Sequence, residues 1–226
     1  MTVYICGDSF GYSDSTYGPN WVDLLSAKLD VVNLSRVCAS NTHISLQVDR
    51  AVANSADYII YTATSSVRFD ARLLSGESAA SPLLDKFVDI VNPLPGKALT
   101  SYSVRSLDDT SLFTKEQLNV LKLYHGIFFD IDLAVYQNQL IIEGILSRLA
   151  HSDIPFKFDQ GGFEHASFAG SKSEQYFTNY DQYRSDICLW DYVGPKMPFR
   201  PYYHITDPLV HQRVANYYYD VIMKAA

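Results

Sequence analysis

The chain has 226 residues, of which 47% are hydrophobic and 19% charged, a composition typical of a globular protein with a buried core. At about 100–200 residues per domain, this length predicts a single domain, with or without an insertion. The net charge is −7 and no dense run of Lys or Arg offsets it, which excludes nucleic acid as an expected partner. Because the sequence has neither a secretory signal nor an apolar stretch of about 18 residues, we expect a cytoplasmic or virion-associated protein without membrane contact.

Strand and helix patterns alternate through the first 65 residues. The predicted strands are Thr2–Cys6, Val31–Leu34 and Tyr58–Thr62. Asn20 is a predicted N-cap for the first helix, and Asn41 or Thr42 for the second. This β-α-β-α-β order implies right-handed crossovers and a parallel sheet. Ligands bind beyond the carboxyl ends of such strands, so the loops 7–10, 36–41 and 63–68 are expected to lie side by side at the functional edge.

The rest of the chain is less regular. Periodicity breaks down after Asp70, which predicts an insertion or lid around residues 70–125 with some short helix. A helical pattern covers 114–148, as one long helix or two shorter ones, and 154–158 resembles another strand. A last amphipathic helix is predicted to start near Thr206, with Leu209 among its buried residues. The chain is therefore interpreted as one domain, 1–226.

The sharpest motif is Gly7-Asp8-Ser9-Phe10, placed directly after the first predicted strand. A serine at such a turn presents its hydroxyl at the edge of the sheet, and its backbone N–H can contribute to an oxyanion hole. Gly7 allows the backbone to turn tightly. Asp8 is expected to fix the loop by hydrogen bonding, and it borders the predicted substrate site together with Arg68.

Two histidines near the C-terminus are candidates for a general base that activates Ser9. His204 precedes the last predicted helix, whereas His211 lies in its second turn beside apolar positions. A histidine just before a C-terminal helix can fold back over the sheet edge to meet the serine. Either histidine could instead serve only in packing or capping.

The serine motif together with the histidine-helix ending resembles the SGNH (GDSL-type) hydrolase superfamily. Block one of that family is Gly-Asp-Ser-Leu or a close variant, and its serine is the nucleophile, which implies that role for Ser9. Block two supplies an oxyanion glycine after the second strand. The corresponding loop of this chain has no glycine, and Ser40 is the best positional match, followed by Cys38.

Block three of the family ends the third strand with Gly-x-Asn-Asp, whose asparagine completes the oxyanion hole. This chain has Ser65 at that place, a shorter donor than the asparagine amide. Loss of one oxyanion donor costs on the order of 100–1000-fold in rate in another enzyme. Arg68 is close enough in sequence to offer a cationic alternative, although it could also be an ordinary surface arginine.

Block five of the family is Asp-x-x-His, the acid and base of the triad. Pro201 stands three residues before His204, where the family has aspartate. Asp207 stands three residues after His204 and four before His211, and from a helix N-terminus it could orient a histidine ring. Alternatively, a backbone carbonyl orients the ring and the site is a Ser–His dyad. His204 is preferred to His211 as the base.

The resemblance implies a flavodoxin-like three-layer α/β/α fold with a central parallel sheet. It also implies a carboxylic-ester hydrolase that needs no metal or organic cofactor and acts on a small-molecule or glycan ester. Divergent hydrolases of bacteriophage and polysaccharide gene sets usually act on acetyl esters of sugars, so a carbohydrate O-acetyl esterase is the leading hypothesis. The alternative is a weak or inactive relative that binds carbohydrate or serves as a structural module. Its support is the three missing family residues and the tyrosines of 176–203.

Overall fold

A computed structural model describes most of the chain apart from the predicted insertion and part of the C-terminal third. The described residues are 1–13, 18–36, 39–66, 68–72, 87–91, 103–104, 130–161, 177–192, 205 and 207–226, with isolated positions 116, 123, 127 and 128. The strands are β1 (Thr2–Cys6), β2 (Asp30–Asn33), β3 (Tyr58–Thr62), β4 (Arg68–Arg72), β5 (Phe87–Val91), β6 (Ser103–Val104) and β7 (Phe156–Asp159). The α-helices are α1 (Trp21–Ser26), α2 (Asn41–Ala53), α3 (Ile131–His151) and α4 (Pro208–Ala225).

The central sheet has four parallel strands in the order β2-β1-β3-β7. In the middle of the sheet, Val3 of β1 lies opposite Val31 on one side and Tyr58 on the other. Parallel strands need crossover connections: α1 joins β1 to its neighbour β2, and α2 joins β2 to β3 on the other side of β1. The predicted parallel sheet is confirmed, and the carboxyl ends of its strands meet at one edge.

Alternate side chains of the central strands enter two separate cores. Val3 and Ile5 of β1 point into a core closed by α1 and α4, whereas Tyr4 and Cys6 point into a core closed by α2 and α3. Helices therefore cover both faces of the sheet, and continuously apolar strands such as β3 result from burial on both sides. The predicted α/β class is confirmed, and the arrangement is compatible with three α/β/α layers.

Strands occur in the region predicted as an insertion with short helix. β4, β5 and β6 form a separate antiparallel sheet in that order. Such short strands are stabilised by pairing with each other, which a local sequence pattern does not reveal. The helical pattern predicted over 114–148, as one long helix or two shorter ones, is confirmed from Ile131 onward, where Asp130 Oδ1 accepts a hydrogen bond from the Leu133 N–H. Most of 114–129 lies outside the described residues.

Two helix details differ from the predictions. Ser40, rather than Asn41 or Thr42, is the N-cap of α2, because the Ser40 hydroxyl accepts a hydrogen bond from the His43 N–H at 3.0 Å. The prediction that Leu209 is buried is wrong: its side chain is 73% exposed, because Leu209 lies on the opposite face of α4 from the buried residues Val214, Tyr218 and Ile222. None of the helices within the described ranges is both long and apolar enough to cross a membrane.

Candidate functional site

Ser9 lies in a tight turn directly after β1, at the carboxyl edge of the sheet. The Phe10 N–H donates to Asp8 Oδ1 at 3.0 Å, and the Gly11 N–H donates to the backbone oxygen of Asp8 at 3.1 Å. These bonds close the turn on both sides of Ser9, whose side chain is half-buried. The predicted nucleophile therefore stands on a fixed backbone at the edge where ligands bind to parallel sheets.

Asp8 connects the Ser9 turn to the loop after β3. Its side chain is only 3% exposed, and Oδ2 accepts a hydrogen bond of 2.7 Å from the Thr64 hydroxyl. Since Oδ1 already accepts from Phe10, both carboxylate oxygens hold protein groups. The structure thus gives Asp8 the expected part in fixing the loop, and its contact with a substrate stays a prediction.

Gly7 is held from the other side by an amide that the sequence analysis did not single out. Gln47 of α2 is fully buried; its Oε1 accepts from the Gly7 N–H at 2.7 Å and its Nε2 donates to the Gly7 oxygen at 3.2 Å. The side chain thereby satisfies both backbone groups of Gly7, as a neighbouring strand would. The sequence signal for this contact was a glutamine between the predicted apolar helix positions Ile44 and Val48.

The loop after β3 is fixed by two buried asparagines. Asn41 accepts from the Thr64 N–H at 2.9 Å and donates both to the Thr64 oxygen at 2.9 Å and to Asn138 Oδ1 at 2.8 Å. Asn138 of α3 in turn donates to the Ser66 oxygen at 3.2 Å. Ser65, the predicted oxyanion donor, is half-buried between these two anchored residues. Neither asparagine was predicted to belong to the site, because both contacts join segments that are distant in sequence.

Ser40 and Arg68 were also predicted to belong to the site. Ser40 is 1% exposed and begins α2, so the positive end of that helix dipole lies beside the loop after β2. Arg68 is the first residue of β4, two positions after the loop that carries Ser65 and Ser66. Cys38, the second positional match for the block-two donor, lies outside the described residues.

A second buried carboxylate fixes the end of β7. Asp159 accepts hydrogen bonds from the Gly161 N–H at 2.7 Å and from the Leu189 N–H at 2.9 Å. Gly161 has a φ of 54°, and a Cβ there would lie 2.3 Å from the Ala63 oxygen, so the backbones after β3 and β7 are in direct contact. The sequence analysis did not single out Asp159. Its hydrogen bonds fix the chain after β7, as those of Asp8 and Thr64 fix the chain after β1 and β3.

His211 is engaged in contacts between α4 and α1. Its Nδ1 accepts a hydrogen bond from the Trp21 N–H at 3.2 Å. Burial lowers the pKa of His211; the backbone of Ile205 and the charges of Asp23 and Asp207 partly oppose this effect. A ring held in this way favours packing over proton exchange with Ser9.

Asp207 is the N-cap of α4. Its Oδ1 accepts from the Leu209 N–H at 2.8 Å, and the side chain is exposed. Asparagine caps a helix about as well as aspartate, whereas alanine does not. We therefore expect Asp207→Ala to lower the free energy of unfolding by about 1 kcal/mol and Asp207→Asn to leave it nearly unchanged. Urea unfolding measures both; equal losses in the two variants would contradict the capping role.

The same two variants separate this cap from the predicted triad acid. A carboxylate that orients a catalytic histidine cannot be replaced by an amide without a large loss of rate. Unchanged hydrolysis by Asp207→Asn would assign Asp207 to the cap alone and favour a Ser–His dyad.

His204 lies outside the described residues, but its neighbour Ile205 is described. Ile205 is buried in the core that also contains Phe10, the residue after Ser9. Trp21 belongs to the same core, and its Nε1–H donates to the Phe10 oxygen at 2.7 Å. The residues next to Ser9 and to His204 in sequence therefore share one apolar support.

The described tyrosines of the stretch 176–203 contribute to packing. Tyr183 stacks on Phe156 with ring centroids 4.3 Å apart, and Tyr180 packs against the same core. Tyr192 packs against the other core. These contacts give the tyrosines a structural role and do not favour the carbohydrate-binding alternative.

No protein-family model matches this chain, and none of the curated proteins matches it either. Within the described ranges, no three His, Cys, Asp or Glu side chains are grouped so that they could hold a metal ion.

Proposed function

We propose that the chain is a serine ester hydrolase with a divergent SGNH-type fold, with Ser9 as nucleophile and His204 as general base. The observation that carries this proposal is the Ser9 turn, which follows the central strand β1 and is closed by Asp8 through Phe10, Gly11 and Thr64. A half-buried hydroxyl on so constrained a backbone is suited to attack, because little of its orientation has to be set during the reaction.

In the proposed reaction, Ser9 Oγ attacks the carbonyl carbon of the ester while His204 accepts the hydroxyl proton. The N–H groups of Ser9 and Ser40, together with Ser65, stabilise the negative oxygen of the tetrahedral intermediate. Collapse breaks the bond to the alcohol, which takes the proton from His204. Water, deprotonated by His204, then hydrolyses the acyl-serine and releases the carboxylic acid.

The choice of His204 over His211 is supported by the contacts of His211. Its Nδ1 already accepts a hydrogen bond from the Trp21 N–H, and the ring is half-buried between α4 and α1. The shared core of Phe10 and Ile205 supports the view that the chain at His204 belongs to the Ser9 side of the sheet edge. The proposed substrate is an O-acetylated carbohydrate, which is the substrate class that the SGNH resemblance implies.

A fluorophosphonate probe tests the proposal without knowledge of the substrate, because it reacts with serines that are activated beside an oxyanion hole. We expect one adduct per wild-type chain, mapped to Ser9 by peptide mass spectrometry, and none in Ser9→Ala. Ser26→Ala is the matched control, since Ser26 is exposed on α1 and bonds only within its own helix, and it should label like the wild type.

Folded wild-type protein that stays unlabelled, or an adduct that persists in Ser9→Ala, would refute the proposal. A labelled protein would then be incubated with acetylated oligosaccharides. Release of acetate would support the carbohydrate ester class, and hydrolysis of simple aryl esters alone would argue against it.

A further inference from the structure

We infer that Thr64 is a positioning residue for the reaction proposed above: its hydroxyl group sets the distance between the Ser9 turn and the loop that carries Ser65. The inference rests on the proposed function, in which Ser9 attacks the ester and Ser65 helps to stabilise the negative oxygen. It assigns a part in the reaction to a buried residue just beyond the end of β3.

Thr64 forms a side-chain link between the two loops. Its Oγ1 donates a hydrogen bond of 2.7 Å to Asp8 Oδ2, and both side chains are buried. Asp8 directly precedes Ser9, and Thr64 directly precedes Ser65. The backbone pairing of β1 with β3 ends before these residues, so the hydrogen bond lies beyond the paired strands. There it holds the two segments side by side, as the pairing does within the sheet.

Both ends of this hydrogen bond belong to groups that are fixed by further contacts. Asp8 Oδ1 accepts from the Phe10 N–H at 3.0 Å, so the carboxylate spans the Ser9 turn. The Thr64 N–H donates to Asn41 Oδ1 at 2.9 Å, and the Thr64 oxygen accepts from Asn41 Nδ2 at 2.9 Å. Because neither group can turn freely, the bond between them fixes the separation of the two loops.

This separation matters for the chemistry, because the nucleophile and the oxyanion donor act on the same carbonyl group. Ser9 Oγ bonds to the carbonyl carbon, whereas a donor is effective about 2.7–3.1 Å from the oxygen that becomes negative. A single torsion angle moves the hydroxyl oxygen of Ser65, so its position follows the backbone closely. A misplacement of about 1 Å in an active site can cost about 100-fold in rate.

The test compares two substitutions of Thr64. Thr64→Val replaces the hydroxyl by a methyl group at nearly constant volume, whereas Thr64→Ser keeps the hydroxyl and removes the methyl group. The measurements are the rate of fluorophosphonate labelling at Ser9 and the kcat and KM for a small acetate ester. We expect Thr64→Val to lower the labelling rate and kcat about 10- to 100-fold with KM nearly unchanged. Thr64→Ser should stay close to the wild type.

Thr2→Val is the matched control. Thr2 Oγ1 donates to Asp30 Oδ2, also at 2.7 Å, so this variant removes a bond of the same kind and length. The bond joins the amino ends of β1 and β2, at the opposite edge of the sheet from Ser9. Thr2→Val should therefore label like the wild type.

A double-mutant cycle with Ser65→Ala separates positioning from simple stability. Because Ser65→Ala removes the donor that Thr64 is inferred to place, adding Thr64→Val should slow the reaction little further. All rates refer to the folded fraction of each variant, which urea unfolding measures. A hydroxyl that served only to stabilise the fold would leave these rates unchanged. Thr64→Ala, which also lacks the hydroxyl, replaces Thr64→Val if valine prevents folding.

The possible failures can be told apart. A wild-type rate in the folded variant without the hydroxyl, with the wild type labelled at Ser9, would overturn the inference and leave the proposed function intact. Equal losses in Thr64→Val and Thr64→Ser would do the same, as would losses of Thr64→Val and Ser65→Ala that multiply in the double variant. A wild type that stays unlabelled would instead refute the proposed function itself.

Discussion

Replacing either Ser9 or His204 by alanine is expected to lower kcat/KM for ester hydrolysis about 10³- to 10⁶-fold. The double variant should be no slower than the slower single variant, because a nucleophile and its base act as one unit and removing the second adds nothing. The assay is the hydrolysis of a small acetate ester by the four proteins under identical conditions.

The matched controls are Ser26→Ala and His151→Ala. His151 is exposed at the end of α3, where its ring Nδ1 lies 2.6 Å from the Ser147 oxygen of its own helix. Both controls should hydrolyse the ester like the wild type. Losses that multiply in the double variant would mean that Ser9 and His204 act independently, contrary to the proposed mechanism.

A methyl group at Gly7 is expected to be among the most destabilising small substitutions in the described part of the chain. A Cβ there would lie 1.9 Å from Thr62 Oγ1, a distance at which either the buried Thr62 side chain or one of the two strands must move. Both strands are in the middle of the sheet and buried, so Gly7→Ala should lower the free energy of unfolding by about 3 kcal/mol. Urea unfolding measures the loss.

A double-mutant cycle with Thr62 tests the cause. The Thr62 hydroxyl oxygen is buried and has no hydrogen-bond partner among the described residues, so Thr62→Ala removes the clashing atom and breaks none of the hydrogen bonds observed there. We expect Thr62→Ala to recover about 1–3 kcal/mol in the Gly7→Ala background. Thr62→Val is the control, because it keeps a methyl group where the oxygen stood and should rescue nothing. Equal destabilisation in all three Thr62 backgrounds would show that the cost arises elsewhere.

The sequence predicted the central fold well because its signals were local. The bounds of β1 and β3 match the predicted strands, since each is a short apolar run between polar turns. The cap of α1 at Asn20 also matches, and its side chain accepts from the Val22 and Asp23 N–H groups. The alternation of strands and helices along the chain was then enough to predict a parallel sheet and the edge of it that carries Ser9.

The supports of the candidate site could not be predicted, because they join distant parts of the chain. Asn41 was expected to cap α2, but its amide is occupied by Thr64 and Asn138 while Ser40 serves as the cap. Gln47 and His211 similarly bond to backbone groups in other elements. A single sequence gives the type of a residue and its position in the local helix or strand pattern. The contacts of these residues depend instead on which distant segment the fold places beside them.

The central sheet also separates the apolar packing behind the site into two cores, which hydrogen bonds at the sheet edge connect. Phe10 and Ile205 are held by the core under α1 and α4, whereas the loop after β3 is held through Asn41 and Asn138 by α2 and α3. A change of side-chain volume under α4 is therefore transmitted first to the Ser9 turn, and one under α3 first to the neighbouring loop. For protein engineering, the two cores therefore offer two separate places where side-chain volume can be changed behind the same sheet edge.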